Sequence, residues 1–254
     1  MKNYSFLLIL WVSFSGRIFA ADFAADSVFN SANVFYANNN FEKAIDNYKL
    51  LLGKGYKSAE LYFNLGNAYY KLANYPRAIL NYERALLYDP RNENIKFNLE
   101  KAQIYIVDKV DEIPEFLIKG WIREAIEWFK SDTWALMSII FFLTSIIGFL
   151  LFFLTRKISV RRTGFYTAIL LIILSALTFI MAYKARAILI NGNGAIVMTP
   201  TVTVKGSPSN TSTDLFIIHE GTKVFILEEL NDWFEVKLSD GKQGWLLKSD
   251  VEPI

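Results

Sequence analysis

The 254-residue chain contains no cysteine and a single histidine, His219. Without thiols it forms no disulfide and offers no thiolate to a metal or a covalent reaction, and one imidazole is too few for a zinc site built from histidines. The glycine pairs in Gly53-Lys54-Gly55 and Gly192-Asn193-Gly194 lack the spacing of a phosphate-binding loop. We therefore expect a protein that is not an enzyme and that has no metal or cofactor.

The regions outside the apolar segments also lack an excess of positive charge. Residues 21–133 carry 14 basic and 16 acidic side chains, and residues 184–254 carry 7 and 9. Nucleic-acid-binding domains usually present a basic patch, so we expect no nucleic-acid partner. The net charge of +2 comes instead from two short segments, one at the N-terminus and one between two apolar runs: Lys2, Arg17, Arg156, Lys157, Arg161 and Arg162.

Apolar side chains are abundant, at 53% of the chain. Residues 134–154 and 165–183 form two uncharged runs of 21 and 19 residues. At about 1.5 Å per residue, a helix of either length spans roughly the 30 Å hydrocarbon core of a bilayer. A buried helix of a soluble protein is the alternative, but two such runs so close together, with charged flanks, favour a transmembrane hairpin.

Flanking charges predict the orientation of this hairpin. The basic loop 155–164 is predicted to be cytoplasmic, because short cytoplasmic loops are enriched in Lys and Arg. The N-terminus predicts a secretory signal peptide over residues 1–20. It has a basic residue, Lys2, then the apolar residues 6–14, and then the small-residue site Ala20-Ala21. Arg17 and Ile18 depart from the usual cleavage pattern, which leaves an uncleaved anchor as the alternative. Both flanking regions are thus expected on the extracytoplasmic side.

The dipeptide Phe-Asn recurs every 34 residues, as Phe29-Asn30, Phe63-Asn64 and Phe97-Asn98. A fixed period of 34 is typical of stacked helical hairpins that bind other proteins. The copy that begins at Ala59 matches the tetratricopeptide pattern at eight positions: Tyr62, Leu65, Gly66, Tyr69, Ala78, Tyr82, Ala85 and Pro90. Gly66 and Ala78 are small where the two helices of a hairpin should cross.

The other two copies are less regular. The first keeps Ala32, Phe35, Ala44 and Tyr48 but has Ser31 at a consensus position and Tyr56 in place of the proline. The third supplies only a first helix and has Glu100 in place of the packing glycine. We therefore predict an α-helical tetratricopeptide solenoid over residues 21–110, ended by a capping helix.

Resemblance to tetratricopeptide repeats implies that the first helix of each hairpin lines a concave groove. The predicted peptide-binding groove consists of Asn30, Asn33, Phe63, Asn64, Asn67, Tyr70, Asn98 and Lys101. The amides of Asn30, Asn64 and Asn98 could both donate to and accept from the backbone of an extended peptide. The alternative is that these asparagines only hydrogen-bond the neighbouring helix.

Residues 111–133 are predicted to form a juxtamembrane amphipathic helix that starts at Pro114. Its apolar stripe includes Trp121, Trp128 and Phe129. The pattern fits a helix lying at the membrane interface, and it fits a helix packed on the repeats nearly as well.

Residues 191–254 contain short β-type runs separated by turns such as Gly206-Ser207-Pro208 and Ser239-Asp240-Gly241. Five or six such strands predict a small β-barrel with His219 in a turn. This region resembles the bacterial SH3 domain. The resemblance lies in three segments: Val202-Thr203-Val204-Lys205, His219-Glu220-Gly221-Thr222 and Gly244-Trp245. Either Trp245 fills the core of the barrel and Trp233 covers its edge, or both belong to an exposed aromatic surface for an extended ligand.

The order of these parts resembles the BatE family of the bacterial aerotolerance operon. The segments that carry this resemblance include Val107-Asp108-Lys109, Pro114-Glu115-Phe116, Ser131-Asp132-Thr133-Trp134 and residues 219–224. The resemblance implies an α + β multi-domain protein of the bacterial inner membrane, with the repeats and the SH3-like domain in the periplasm.

By the same resemblance, the protein is a non-catalytic scaffold of an envelope complex linked to oxygen or oxidative-stress tolerance. Its implied partners are von Willebrand A-domain membrane proteins and a MoxR-type ATPase system. The alternative is an envelope anchor or sensor that binds peptidoglycan through the SH3-like domain.

Overall fold

A computed structural model describes residues 25–109 and 117–254 of the chain. The predicted signal peptide, residues 1–20, and Pro114 lie outside these residues. The described part consists of helical repeats, a long helical hairpin and a C-terminal antiparallel sheet.

The helical repeats comprise α1 (residues 25–37), α2 (Phe41–Gly53), α3 (Ala59–Lys71), α4 (Tyr75–Tyr88) and α5 (Glu93–Gln103). Helices α2 to α5 each begin after a side chain that accepts a backbone N–H of the first turn: Asn40, Ser58, Asn74 and Asn92. Such N-caps satisfy amides that have no partner within the helix. The caps therefore set where helices α2 to α5 start.

The turns and crossings of the repeats follow the 34-residue period. Asn39 and Ala73 both have left-handed backbone, with φ of 58° and 56°, in the turns α1–α2 and α3–α4. At the α3–α4 crossing, a Cβ on Gly66 would lie 2.7 Å from the Tyr82 ring and 3.3 Å from the Ala78 carbonyl oxygen. The structure therefore requires glycine at this position, as the sequence pattern predicts.

The membrane-type hairpin follows α6 (Leu117–Glu127) and consists of α7 (Ser131–Leu154) and α8 (Ile158–Asn191). Both α7 and α8 are long and apolar enough to cross a membrane. Small residues line the seam between them: a Cβ on Gly148 would lie 3.0 Å from the Ala168 Cβ. The Ser138 and Ser175 hydroxyls each donate to the other's carbonyl oxygen, at 3.0 and 2.9 Å. Close backbone approach and such hydrogen bonds are how helices pair in lipid.

The helix boundaries here correct the predicted ones. The loop predicted at 155–164 shrinks to residues 155–157, and Arg161 and Arg162 lie within α8. Arginine is a good helix former, and the close approach of Gly164 to Gly148 brings the two helices together next to the turn, so three residues suffice. Helix α8 also continues past residue 183 to Asn191, well beyond the predicted span.

Helix α6 is shorter than the predicted helix over 111–133, since it ends at Glu127 and α7 starts at Ser131. It packs against α8 and buries Ile126, whose carbonyl accepts the Trp134 Nε1–H at 3.0 Å. Trp121 and Trp128 are 67% and 54% exposed. The Arg91 guanidinium lies 5.9 Å from the Trp128 ring centroid, so the segment also touches the repeats. The exposed tryptophans fit a helix at the membrane interface, and the contact with Arg91 fits a helix packed on the repeats.

The C-terminal sheet has seven antiparallel strands: β1 (Gly194–Val197), β2 (Thr201–Lys205), β3 (Asp214–His219), β4 (Lys223–Leu230), β5 (Trp233–Lys237), β6 (Gln243–Leu247) and β7 (Val251–Pro253). Their order is β3-β2-β6-β5-β4-β1-β7. The predicted barrel is therefore not closed, because β3 and β7 remain edge strands. The sequence prediction also missed β3 and β7, and His219 ends a strand instead of lying in a turn.

Candidate functional site

Helices α1, α3 and α5 carry the predicted groove residues. Asn30 and Lys101 are exposed, while Asn33, Phe63, Asn64, Asn67, Tyr70 and Asn98 are half-buried. All eight therefore lie on the first helices of the three copies, as the repeat pattern predicts, with none in the fully buried core.

Hydrogen bonds link the asparagines of successive repeats. Asn33 Oδ1 accepts from the Tyr48 hydroxyl at 2.6 Å and from Asn64 Nδ2 at 3.2 Å. One repeat later, Asn67 Oδ1 accepts from the Tyr82 hydroxyl and from Asn98 Nδ2, both at 2.8 Å. The side chains thus form the same three-residue arrangement twice, with one member from the next repeat.

The tyrosine hydroxyls are the donors of these bonds. Burial, with smaller contributions from the Tyr36 and Glu60 charges, raises the pKa of Tyr48 to about 12. Burial also raises the pKa of Tyr82. Both phenols therefore stay protonated, and they donate because the Oδ1 atoms of Asn33 and Asn67 carry no hydrogen and can only accept. Asn64 and Asn98 accordingly hold neighbouring repeats together, and their contact with a peptide remains a prediction.

The phenylalanines of the groove differ in exposure along the stack. Phe29 and Phe63 lie 5.9 Å from the rings of Tyr48 and Tyr82, which belong to the second helices of their own repeats. Among the described residues, the helix after α5 is α6, and α6 packs on α8. Phe97 is consequently 56% exposed, with Lys101 Nζ 4.2 Å from its ring centroid. The third copy presents the most accessible ring of the series.

An aromatic cluster lies beside this end of the groove. The rings of Tyr75 and Tyr105 are stacked with centroids 4.1 Å apart, and Tyr70 lies 5.7 and 6.2 Å from them. Tyr105 follows α5 and is exposed. The sequence predicted Tyr70 as a groove residue but missed Tyr75 and Tyr105, which lie outside the first-helix positions on which that prediction relied.

The C-terminal sheet packs directly on the repeats through β1. Ala195 and Val197 point into the core of the sheet, while Ile196, between them, is 0% exposed within the core of the repeats. Met198 and Ile254 pack against the same core. Because alternate residues of a strand face opposite sides, β1 serves both hydrophobic cores at once. We call this contact region the junction.

Charged side chains of α4 extend the junction. Lys223 Nζ lies 2.6 Å from Glu83 Oε2, and the Glu83 side chain is almost buried. Arg84 bonds Glu252 at 3.1 Å and the Pro253 carbonyl oxygen at 2.5 Å. A buried carboxylate without its cation would be costly, so these pairs fix the position of the sheet on α4.

Asp108, just beyond α5, makes the most concentrated contact of the junction. Its Oδ2 accepts the His219 backbone N–H at 2.5 Å and the Thr222 hydroxyl at 2.7 Å, and its Oδ1 lies 2.9 Å from His219 Nδ1. Burial alone would raise the pKa of Asp108, but the hydrogen bonds from His219 and Thr222 outweigh it and leave the pKa lowered. The ionised carboxylate is therefore the form that closes the junction.

The glycine between these partners permits close approach. Gly221 has a φ of +85°, and a Cβ there would overlap the Ile106 side chain. The Asp108 carboxylate binds the His219 side chain and also accepts the His219 backbone N–H and the Thr222 hydroxyl, so this contact ties the end of β3 and the following turn to the end of the repeats. The sequence did not reveal it, since Asp108 and His219 lie 111 residues apart outside any repeat pattern.

The two tryptophans of the sheet are both half-buried. Trp245 lies opposite Glu235, whereas its neighbour Leu246, which is 1% exposed, fills the core. Trp233 lies two residues from Glu235 on β5, so both indoles are on the face of the sheet away from its core. Trp245 is therefore not the core residue that one interpretation of the sequence expected.

Two family models match the chain. The tetratricopeptide repeat matches residues 59–92, and the bacterial SH3 domain matches residues 200–252. A search of the curated proteins finds no match. These findings confirm the predicted repeat at Ala59 and the SH3-like prediction for the C-terminal region. The chain thus joins a tetratricopeptide repeat to a bacterial SH3 domain, with two helices between them that are long and apolar enough to cross a membrane.

Proposed function

We propose that the protein is a non-catalytic, membrane-anchored scaffold that binds protein partners through the groove of its repeats. One observation carries this proposal: other parts of the chain cover one face of the repeats and leave the groove on the other face exposed. The α4 face is covered by β1 and α8, whereas Phe97, Lys101 and Tyr105 at the groove remain exposed. A scaffold needs one face fixed internally and another free for a partner.

The proposed orientation places the repeats and the sheet in the periplasm of a bacterial inner membrane. Two features support it. Helix α4 contacts both α8 and β1, and Lys130 pairs with Asp89 at 3.1 Å, so both folded units lie at the same end of the hairpin. The basic residues lie at the opposite end, where the positive-inside rule expects the cytoplasm.

The proposed setting is an envelope complex linked to oxygen or oxidative-stress tolerance, by resemblance to the BatE family. By that resemblance the partners include von Willebrand A-domain membrane proteins and a MoxR-type ATPase system. Two segments that carry the resemblance, Val107-Asp108-Lys109 and residues 219–224, meet at the junction. Their contact gives a physical reason for both segments to occur in one chain.

The groove is best tested with Phe97→Ala combined with Lys101→Ala. Both side chains are exposed and neither serves the repeat core, so thermal unfolding should stay unchanged. Photo-crosslinking in intact membranes should show partner proteins bound to the parent chain and lost from the double variant. Leu50→Ala, which shortens an exposed apolar side chain on α2, is the matched control and should keep the partners.

Retention of all partners by the Phe97 and Lys101 variant would contradict the groove proposal. Asn64→Ala with Asn98→Ala is a poorer test, because both amides bond the preceding repeat. Loss of partners in that variant could simply reflect a loosened stack.

The second candidate is a peptidoglycan-binding anchor, favoured by the apolar outer surface of the sheet. Leu215 and Ile217 of edge strand β3 are both exposed. Co-sedimentation of the full chain in detergent with purified sacculi tests it, using Ile217→Ser against the control Leu50→Ser. Sedimentation that depends on Ile217 would favour this candidate, and no sedimentation of the parent chain would exclude it.

A further inference from the structure

The turn between α7 and α8 and the start of α8 together carry four basic residues, Arg156, Lys157, Arg161 and Arg162. No acidic residue occurs between Asp132 and Asp214, so this end of the hairpin has no carboxylate of its own. Within residues 25–109 and 117–254, none of the ion pairs involves these four side chains. Their charge is therefore available to a ligand.

Two of the four cations line a cleft. The cleft has a volume of about 300 Å³ and is lined by Phe152, Ile158, Arg161, Arg162, Phe165 and Tyr166. The Arg161 guanidinium lies 4.6 Å from the Phe152 ring centroid, and the Phe152 and Phe165 rings are 5.2 Å apart. The ring holds one guanidinium in place by a cation–π contact. The cleft thus combines two positive groups with an aromatic wall.

The surroundings of the cleft are apolar. Phe153, Leu154 and Ile158 are among the most exposed apolar side chains of the chain's described part. The close approach of Gly148 and Gly164 keeps α7 and α8 together immediately beside the cleft. If the hairpin crosses a bilayer, the cleft opens where hydrocarbon meets headgroups, since its aromatic wall continues into the apolar span while its arginines lie at the helix start.

We propose that this cleft binds the headgroup of an anionic phospholipid in the leaflet opposite the repeats and the sheet. The proposal rests on the membrane crossing put forward under the proposed function. Planar guanidinium groups donate paired hydrogen bonds to phosphate oxygens, and the rings of Phe152, Phe165 and Tyr166 receive the apolar part of the same lipid. A soluble phosphate would contact only the arginines. The aromatic side chains of the cleft therefore favour a lipid, because they can also bind its apolar part.

The test uses the full chain purified from membranes and native mass spectrometry with phosphatidylglycerol or phosphatidylcholine. The cleft variant is Arg161→Gln with Arg162→Gln, and the matched control is Arg156→Gln with Lys157→Gln. Both variants remove two positive charges from the same end of the hairpin, but only the first removes the cleft's arginines. We expect the cleft variant to retain about 10-fold less phosphatidylglycerol than the parent chain, and the control to retain nearly as much as the parent.

Equal losses in the two variants would overturn the proposal in favour of a diffuse basic surface. Equal retention of phosphatidylcholine would also overturn it. Displacement of the bound lipid by inorganic phosphate at about 10 mM, which is about ten times a weak dissociation constant of 1 mM, would overturn it as well. Arg161→Lys with Arg162→Lys keeps the charge and should bind with intermediate strength, because the paired hydrogen bonds are lost.

The membrane crossing itself is checked separately, by alkaline carbonate extraction of membranes. A chain that is released by carbonate contradicts the proposed anchoring. A chain that stays in the membrane but does not discriminate between the two lipids contradicts only the proposed binding of an anionic lipid in the cleft.

Discussion

At the level of single residues, Asp108 has the most informative position in the chain. It belongs to the end of the repeats, yet its carboxylate holds the end of β3 and the following turn. Removing an acceptor from three donors leaves buried polar groups without partners, which destabilises more than the bonds themselves contribute. The junction should therefore depend on the ionisation of this one side chain.

Acid should loosen the junction through Asp108. Its pKa is lowered in the folded protein, so its contribution to stability is present above the ordinary aspartate pKa of about 3.9 and is lost as the pH falls through the lower, folded value. We expect residues 216–222 to be strongly protected from hydrogen exchange at pH 6, relative to the intrinsic exchange rate at each pH, and to lose this protection specifically below about pH 4.

The control for this experiment is Asp108→Asn, which cannot ionise. Its exchange at residues 216–222 should be faster than that of the parent chain at pH 6, and the two should converge in acid. If the parent and the variant show the same pH dependence, Asp108 does not close the junction.

Two glycines with the same backbone offer a matched comparison. Gly55 and Gly221 have φ of +87° and +85°, but a Cβ on Gly55 has nothing within 4 Å, whereas one on Gly221 overlaps Ile106. Gly55→Ala should cost about 1 kcal/mol from the left-handed backbone alone. Gly221→Ala should cost about 1–3 kcal/mol more, from overpacking at the junction. Chemical denaturation of both variants measures the difference in the free energy of unfolding. Equal losses in the two variants would show that the Ile106 side chain moves aside without cost.

The sequence could predict Gly66 but not Asp108, for a physical reason. Gly66 belongs to a repeated pattern in which each position has a fixed packing role, so its neighbours follow from the period. Asp108 acts through a single contact made across 111 residues, and nothing local in the sequence encodes it. Asn64 and Asn98 are intermediate cases, since the pattern predicted their position on the first helices and left the choice of hydrogen-bond partner open.

At the level of elements, both edge strands of the sheet are held by side chains of the repeat region. The backbone N–H of His219, at the end of edge strand β3, is bonded by Asp108, and the carbonyl of Pro253 on edge strand β7 is bonded by Arg84. Unpaired edges invite association with other strands, and natural proteins cover them. The repeats bond each edge strand at one point, while Leu215 and Ile217 of β3 stay exposed.

Enlarging a residue in the α7–α8 seam should separate the two helices. A Cβ on Gly164 would lie 2.9 Å from the Gly148 carbonyl oxygen, so Gly164→Leu cannot be accommodated without moving a helix. Thr144→Leu is the matched control, because Thr144 is exposed and bonds only the Ile140 carbonyl of its own helix.

Disulfide formation reports the separation. The chain has no cysteine, so Ser138→Cys with Ser175→Cys introduces a single pair at a contact of 3.2 Å between the hydroxyls. Oxidation in membranes should link this pair in the parent background and in Thr144→Leu, and far less in Gly164→Leu. Efficient disulfide formation in all three proteins would contradict the close packing of α7 against α8 at Gly164.

Helix boundaries were the least predictable elements. The uncharged runs predicted two spans, but α8 begins before the predicted loop ends and continues to Asn191. Hydropathy detects the stretch that lipid requires, whereas a helix continues for as long as its backbone bonds and side-chain packing allow. The limits of a span and the limits of its helix are therefore different quantities.

At the level of the whole molecule, the junction fixes the repeats and the sheet as one unit. Its polar part combines Lys223 with Glu83 and Arg84 with Glu252. Its apolar part is the shared burial of Ile196. A partner bound in the groove would consequently experience a fixed arrangement of groove and sheet.

Exchanging the charges of one pair tests this arrangement. Glu83→Lys and Lys223→Glu should each destabilise the folded chain by about 1–3 kcal/mol, because each places like charges together with little exposure. The double variant should recover a substantial part of the loss. Thermal unfolding of all four proteins gives the coupling energy, and a double variant whose loss equals the sum of the single losses would show that the pair does not interact.

Helix α8 also sets a stand-off distance. Residues 184–191 follow the predicted span, beginning with Lys184, and remain helical up to Asn191, three residues before β1 starts at Gly194. Eight helical residues are about 12 Å long, so a bilayer-spanning hairpin would raise the sheet by roughly that height above the membrane surface. The repeats, in contrast, also reach the base of the hairpin, where Lys130 pairs with Asp89 just before α7 begins. A partner embedded in the same membrane would then need a segment that projects from the lipid to reach the sheet.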